Sequence, residues 1–458
     1  MKSIKIKDIV SVTNGSLLCG NNEDEVTKIS IDSRKIEPND TYIAIKGENF
    51  DGNNFIKDAI DKGAKTCIVN IDYIDNRANI IKVNDTVDAF QKIAKYKRTL
   101  FNGEVIAITG SVGKTSTKDI VASVISTEYK TLKTKGNLNG QIGLPMTIME
   151  LEDQEKLVIE MGMSYKGELS RLTNIVKPNI AVITNIGTSH IGNLGSRENI
   201  LKAKLEILEG LNKNGKVVIN NDNDLLHKWY LENKDRYNIY TYGIENTSDF
   251  VATNIKYNET SSSFEVMINN EKHNILVPVG GKHFIYNALC AIVVGKICNI
   301  SPEKIKNGIQ GFELTKRRME SIDGIGNSII INDCYNANYD SMKAGIEYLS
   351  KIKDKRKIAV LGDMLELGEY SAKLHENVGD EVVKNKIDIL ITVGKEAENI
   401  AKSAINNGMN TENIFMLRTN SDAVKILKQI LTKNDIALVK ASNGMHFNEI
   451  VDEIKMEE

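Results

Sequence analysis

The chain is poor in the residues that mark specialised proteins. Five cysteines stand among 458 residues, at Cys19, Cys67, Cys290, Cys298 and Cys334. Their number is odd and their spacing is not that of metal ligands. A disulfide scaffold and a cysteine-based metal site are therefore not expected, and free thiols in a reducing cytosol are. Charge of either sign is not in excess: 59 Lys and Arg face 61 Asp and Glu, which gives no reason to expect a nucleic-acid or membrane-surface protein. No apolar run reaches the roughly 18 residues that span a bilayer. The opening MKSIKIKDIV alternates polar and apolar residues and lacks the apolar core of a leader. Proline is scarce, at five residues. Beside the abundant Lys, Asn and Ile this reads as genome base composition and says little about function. What remains is an ordinary globular balance, 41% hydrophobic and 26% charged, and a length that suits two to four domains.

Turn punctuation divides the chain into three. Up to about residue 97, the runs 42-YIAIKG-47 and 66-TCIVN-70 read as strands. Between them 54-NFIKDAIDKGA-64 reads as a helix, and 87-VDAFQKIAKYKRTLF-101 as a helix leading onward. From 98 to 312, short apolar runs (104-EVIAIT-109, 156-KLVIE-160, 179-NIAVITNI-186) alternate with helices, and 281-GKHFIYNALCAIVVGKI-297 is a further helix. That alternation predicts a parallel sheet covered on both faces. From 313 to 458 the pattern returns, with strands expected at 327–333, 357–363, 388–394 and 435–442. No repeats, low-complexity segments or long disordered linkers interrupt it. The expected fold class is α/β in three domains. A small mixed N-terminal domain precedes a central P-loop ATPase-like parallel sheet and a C-terminal Rossmann-like doubly wound domain.

The stretch 108-ITGSVGKTSTKD-119 carries the first chemistry. It has the order strand, glycine-rich turn, helix that a phosphate-gripping loop requires. Its departure is Ile108 where the usual pattern has its first glycine; Gly110 stands three before Gly113, which implies a shorter loop. Gly110 and Gly113 would let backbone N–H groups approach phosphate oxygens, and the helix N-terminus would add its positive dipole end. Lys114 would reach the terminal phosphates, and Thr115 would offer a hydroxyl to Mg²⁺. Ligands of open α/β sheets sit at the carboxyl ends of strands. Glu160 stands at one such end and His190 shortly after another, a plausible shell with Thr115, although imidazole is an uncommon Mg²⁺ ligand. On the next helix, Ile200, Ala203, Ile207, Leu208 and Leu211 form one apolar stripe. Lys202 lies off it, with Glu198 and Glu206 at ion-pair spacing; Lys204 lies on it. A desolvated Lys204 would be a neutral amine able to react with CO₂; a lysine that snorkels to the edge fits its position equally well.

Several motifs together carry a resemblance. TGSVGKTS, 136-GNLNGQIGLP-145, 160-EMGMSYKGEL-169, 187-GTSHIGNLGSRENILKAKLEIL-208 and 280-GGKHFIYNAL-289 resemble the Mur ligase superfamily. Three more stretches are similar to the members that join D-alanyl-D-alanine to UDP-N-acetylmuramoyl-tripeptide. They are 30-SIDSRKIEPND-40 with 47-GENFDGNNF-55, 317-RRMESIDGIGNSIIINDCYNAN-338 and 360-VLGDMLELGEYSAKLHENVG-379. The likeness runs in collinear order over nearly the whole chain. It implies an ATP-dependent amide-forming ligase that works through an acyl phosphate, a cytoplasmic bacterial monomer without nucleic-acid or membrane partners. Its partners would be the two small-molecule substrates. It implies ATP binding at Gly110 through Ser116, with Asn287 at the adenine and Arg318 and Asp333 closing over the nucleotide. Two Mg²⁺ would be held by Thr115, Glu160, His190 and a carbamoylated Lys204. Ser33, Arg34 and Gly47 would meet the uridine, Asn137 and Asn139 the muramoyl peptide, and Tyr335, Asn336 and Asn338 the incoming dipeptide. Residues 1–97, 98–312 and 313–458 would serve UDP-sugar, ATP and dipeptide in turn. The chain departs from the family at Tyr339 (usually proline), Gly140 (asparagine), Asn53 (histidine), Ala441 (glycine) and Asn443 (arginine). Asp363 and His375 receive no role, and His227, His273 and His446 are expected on the surface. A P-loop kinase or nucleotide switch is the rival of another class; it gives the Lys204 stripe and a third domain no purpose.

Overall fold

Three parallel or mixed sheets, one after another along the chain, carry the structure, a computed structural model that describes residues 3–47, 50–258 and 260–456. The first has five strands. Its edge strand Ser16–Cys19 runs antiparallel to Asn79–Lys82, and the pairs onward through Thr66–Val69, Thr41–Ile43 and Ile29–Ser30 are parallel. The predicted helix near 54–64 begins as a 3₁₀ turn at Gly52–Phe55 and continues as Ile56–Asp61. The helix Thr86–Thr99 opens on Asp85, whose carboxylate accepts from Asp88 N at 2.8 Å. It packs on both sides of the passage into the second sheet, against Ile6–Thr13 and against Gly143–Met149.

The second sheet has seven strands, all parallel, in the spatial order Phe250–Val251, Asn238–Gly243, Lys216–Asn220, Ile180–Ile183, Glu104–Thr109, Lys156–Glu160, Thr131–Lys133. Glu104–Thr109 therefore lies inside the sheet, flanked by Lys156–Glu160 and Ile180–Ile183. The chain first moves to one side of that strand and then crosses to the other, so the loops after these three strands meet at a topological switch point. Burial follows the reading of continuous apolar runs: Val105 to Thr109 and Leu157 to Glu160 are all buried. The helices Lys114–Ser126 and Lys282–Ile297 pack together on this sheet. A small antiparallel sheet, Thr253–Tyr257, Ser262–Ile268 and Glu271–Val277, was not legible beforehand.

The third sheet has six strands, ordered Glu320–Gly324, Ser328–Asn332, Asp435–Lys440, Arg356–Gly362, Ile389–Val393, Ile414–Leu417. Only its first pair is antiparallel. Its carboxyl edge faces that of the second sheet, and a cleft lies between them.

Candidate active site

The cleft is lined from one side by Ser111 to Ser116, Ser189 and His190, and from the other by Arg318, Asp333, Asn336, Asn338, Glu366 and Lys440. The glycine-rich turn starts it. Gly110 has φ +152°, and a Cβ there would stand 1.9 Å from Thr184 Oγ1, so no other residue fits. The turn is braced from the neighbouring strand end. Asn185 Oδ1 accepts from Val112 N at 2.9 Å, and Thr184 Oγ1 and Asn185 Nδ2 donate to Val112 O at 2.7 and 3.0 Å. Ser111 Oγ accepts from Gly187 N at 2.9 Å. Thr184 and Asn185 were not singled out from sequence, although they stand in the run 179-NIAVITNI-186. Lys114 Nζ donates to Gly110 O at 2.9 Å. Burial is the main cause holding its ammonium below the usual lysine range; Glu160 opposes that shift and Arg318 adds to it.

Glu160 is buried at the end of its strand. Its N–H donates to Thr134 Oγ1 at 3.0 Å, and Oε1 accepts from Asn139 Nδ2 at 2.7 Å. Its Oε2 has no hydrogen-bond partner among the described residues. A buried carboxylate oxygen left in this way is costly unless a cation or donor meets it. Among the described residues no three His, Cys, Asp or Glu side chains gather into a ready-made metal centre. The set drawn from sequence contains only two such residues, so its anionic charge depends on Lys204.

Lys204 is 1% exposed and Lys202 is exposed; the snorkelling alternative does not hold. Burial first, and the charge of Lys114 second, push the Lys204 amine well below the ordinary lysine value. The expected pairing of Lys202 with Glu206 is also not what forms. Glu206 is buried and instead accepts from Gly167 N (2.8 and 3.0 Å) and Ser170 N (3.1 Å), capping the helix Glu168–Val176. The helix carrying Lys204 ends at Leu205 and continues as a 3₁₀ turn, Glu206–Gly210.

The C-terminal side reaches across at several points. Arg318 Nη2 donates to Thr115 Oγ1 at 3.0 Å, and its guanidinium lies 4.0 Å from the centre of the Tyr335 ring. Asp333 Oδ1 accepts from Met319 N, and its other oxygen pairs with Lys440, a 2% exposed lysine that also donates to Asn336 O at 3.1 Å. Lys440 was not singled out from sequence, although it stands within the strand expected at 435–442. Asn338 caps the helix Tyr339–Lys351 through Ser341 N at 2.8 Å and donates to Ser189 Oγ. Tyr339 is the first residue of that helix, the position where proline is also at home, so the departure costs nothing there. Gly140 faces open space. Asn287 is buried behind the turn, accepting from Thr117 Oγ1 at 3.0 Å while its Nδ2 has no partner among the described residues.

The remaining expected residues lie apart from this cleft. Arg34 is exposed and donates to Asp32 at 2.8 and 3.0 Å; Gly47 N donates to Phe50 O at 2.9 Å. Ser33 follows Asp32 in the same turn, and Glu48 and Asn49 of the quoted motif lie outside the described residues. Asn137 is exposed. Asp363 accepts from Ala397 N at 2.7 Å and His375 Nε2 from Met364 N at 3.0 Å, so both shape the loop that carries Glu366. His446 is exposed as expected; His227 and His273 are half-buried, and His273 Nε2 is enclosed with no hydrogen-bond partner among the described residues, 4.0 Å from Glu271 Oε2.

Three family descriptions match this chain in order: "Mur ligase family, catalytic domain" over residues 25–98, "Mur ligase middle domain" over 108–295, and "Mur ligase, glutamate ligase domain" over 317–443. The chain belongs to the Mur ligase family. Among its Mur ligase relatives, the UDP-N-acetylmuramoyl-tripeptide–D-alanyl-D-alanine ligase of Bacillus subtilis (strain 168) is 36% identical over 455 residues, covering 98% of each chain. The crystal structure of MurF from Acinetobacter baumannii superposes with a TM-score of 0.91 at 28% identity, covering 99% of each chain. MurF ligase from Thermotoga maritima, solved in complex with ADP, superposes with a TM-score of 0.83 at 28% identity, over 93% of this chain and 97% of that one.

Proposed function

We propose that this Mur ligase joins D-alanyl-D-alanine to UDP-N-acetylmuramoyl-tripeptide at the expense of ATP, acting in the cytoplasm as a monomer. The observation that carries the reading is the full-length likeness to ligases of that name. The cleft between a phosphate-type loop and the carboxyl edge of a second doubly wound sheet supports it.

Amide formation from a carboxylate needs activation, because the carboxylate is a poor electrophile. In the proposed reaction the tripeptide carboxylate attacks the γ-phosphorus of ATP, and ADP leaves. The amine of the dipeptide then attacks the acyl carbon, inorganic phosphate leaves, and the amine gives up a proton. The first step brings two anions together. Lys114, in the helix-opening turn, and Arg318, reaching from the third sheet, would be the cations that hold them. Asp333, fixed by Lys440, would meet the nucleotide from the opposite wall, and Asn287 would meet the adenine. Ser33, Arg34 and Gly47 would hold the uridine, Asn137 and Asn139 the muramoyl peptide, and Tyr335, Asn336 and Asn338 the dipeptide. Residues 1–97, 98–312 and 313–458 thereby take one substrate each, which turns a three-body encounter into a positioned one.

The donor set suits Mg²⁺: Glu160 Oε2 is a buried oxygen in want of a cation, and Thr115 offers a hydroxyl. Thr115 and Glu160 would hold one ion, and His190 with a carbamoylated Lys204 a second. Bound there, the ions would neutralise the phosphate oxygens. A neutral Lys204 amine adds to CO₂ with loss of a proton, which turns a buried neutral group beside Lys114 into an anion.

Phosphate release from ATP, measured with and without each substrate, tests the reading. Release that requires both substrates, with a product heavier by the dipeptide, is expected; release indifferent to both would overturn it.

A further inference from the structure

Three consecutive residues of the central domain, Thr188, Ser189 and His190, each bond a side chain of the C-terminal domain. Asp340 Oδ2 accepts from Thr188 N and Oγ1 at 2.7 and 2.9 Å, Asn338 donates to Ser189 Oγ, and His190 Nδ1 lies 2.7 Å from Glu366 Oε2. The last contact differs in kind, because it reaches the ring of a residue proposed above to hold a divalent cation. Both partners have left-handed backbone although neither is glycine, His190 at φ +62° and Glu366 at φ +63°. Such conformations persist where surrounding structure imposes them and concentrate at functional sites. The two loops are pressed together: a Cβ on Gly192 would stand 2.7 Å from Glu366 O, and Tyr370 Oη donates to Gly195 O at 2.6 Å.

We propose that Glu366 is a positioning residue for His190. An ionised carboxylate only accepts, so the contact requires the proton on Nδ1 and leaves the lone pair on Nε2. This is the arrangement by which proteins orient a metal-holding imidazole and fix its tautomer. Glu366 belongs to the C-terminal domain and His190 to the central one, so the imidazole is set only when the two domains meet. The inference rests on the reading of His190 as a cation ligand. It adds that the residue orienting this ligand comes from the dipeptide-side domain.

The test uses the full chain labelled with ¹⁵N-histidine, and Mn²⁺ affinity by electron paramagnetic resonance with a non-hydrolysable ATP analogue. The His190 resonances are identified by their loss in His190→Gln. The wild type is expected to show Nδ1–H. Glu366→Ala is expected to shift the ring towards Nε2–H and to weaken Mn²⁺ about tenfold or more. Glu366→Gln keeps an accepting oxygen and is expected to retain the tautomer and most of the affinity. Asp340→Ala breaks the neighbouring contact without touching the ring and is expected to leave the tautomer unchanged. An unaltered tautomer in Glu366→Ala, or the same shift in Asp340→Ala, would overturn the proposal. Undiminished Mn²⁺ affinity in His190→Gln would instead remove His190 as a cation ligand, a separate failure.

Discussion

Lys204, buried on the helix Arg197–Leu205, feels the charge of Lys114, a second cation held back by burial. Burial first, and the charge of Lys114 second, disfavour protonation of Lys204, which makes the unmodified amine a source of pH-dependent stability. The folded value of Lys204 lies well below 10.5. Between that value and 10.5 the unfolded chain binds a proton that the folded chain refuses, so stability rises with pH across that window. Lys204→Met is expected to flatten the slope in denaturant titrations run in CO₂-free buffer. In activity assays Lys204→Ala is expected to be inactive, with partial rescue by short carboxylic acids; full activity would end the carbamate reading.

Asn139 bears on Glu160 directly, through Nδ2 to Oε1 at 2.7 Å. Asn139→Ala leaves the carboxylate buried with neither oxygen bonded to a side chain. Turnover is expected to fall about 10- to 100-fold, the usual effect of losing a residue that orients a metal-holding group. Asn139→Asp, which places like charge against Glu160, is expected to be worse than alanine at neutral pH. Equal activity in the two variants would argue against electrostatic control of Glu160. Circular dichroism separates loss of fold from loss of function.

A buried network ties the phosphate-loop helix to the passage between the second and third sheets. Asp119 pairs with Lys118 at 3.2 Å and Lys133 at 2.8 Å, and its Oδ2 accepts from Thr315 Oγ1 at 2.6 Å. Lys118 and Asp119 are 1% and 3% exposed. Asp119→Ala leaves the buried Lys118 cation without that counter-charge, held by Thr134 O at 2.9 Å, and is expected to cost about 3–5 kcal/mol in urea unfolding. Thr315→Val removes one bond to a carboxylate and is expected to cost about 1.5–3 kcal/mol. It should also make the segment near Arg317 and Met319 easier to cleave in limited proteolysis.

His375 is buried, with Nδ1 donating to Ser371 O at 2.7 Å and Nε2 accepting from Met364 N at 3.0 Å. Burial lowers its folded value below 6.5. As pH falls through about 6.5 the unfolded chain takes up a proton first, so this group withdraws stability on acidification. The loss of denaturation midpoint between pH 7 and 5 is expected to be smaller in His375→Gln than in the wild type. An identical loss would mean that His375 is not the group responsible.

Three doubly wound or mixed layers, the phosphate-type loop and the strands through Glu104–Thr109, Lys156–Glu160 and Asp435–Lys440 were legible in the sequence. Continuous apolar runs and a glycine-rich turn are local signals that need no partner. The small sheet from Thr253 to Val277 was not, because its edge strand Thr253–Tyr257 is largely exposed and carries no apolar run. The strands Lys216–Asn220 and Asn238–Gly243 were not legible either, the latter half-buried and rich in polar and aromatic residues.

Sequence singled out the candidates for the chemistry, Lys114, Thr115, Glu160, His190 and Lys204, each by its neighbours in the chain. It left open whether Lys204 is enclosed, and it assigned Glu206 to a helix-surface pair. Only the tertiary structure decided these, because burial and hydrogen-bond partners depend on elements distant in the chain. Glu206 caps a helix 36 residues before it, and His190 meets Glu366 across 176 residues. A periodic pattern reports the face a residue occupies. It cannot report which other face arrives to cover it.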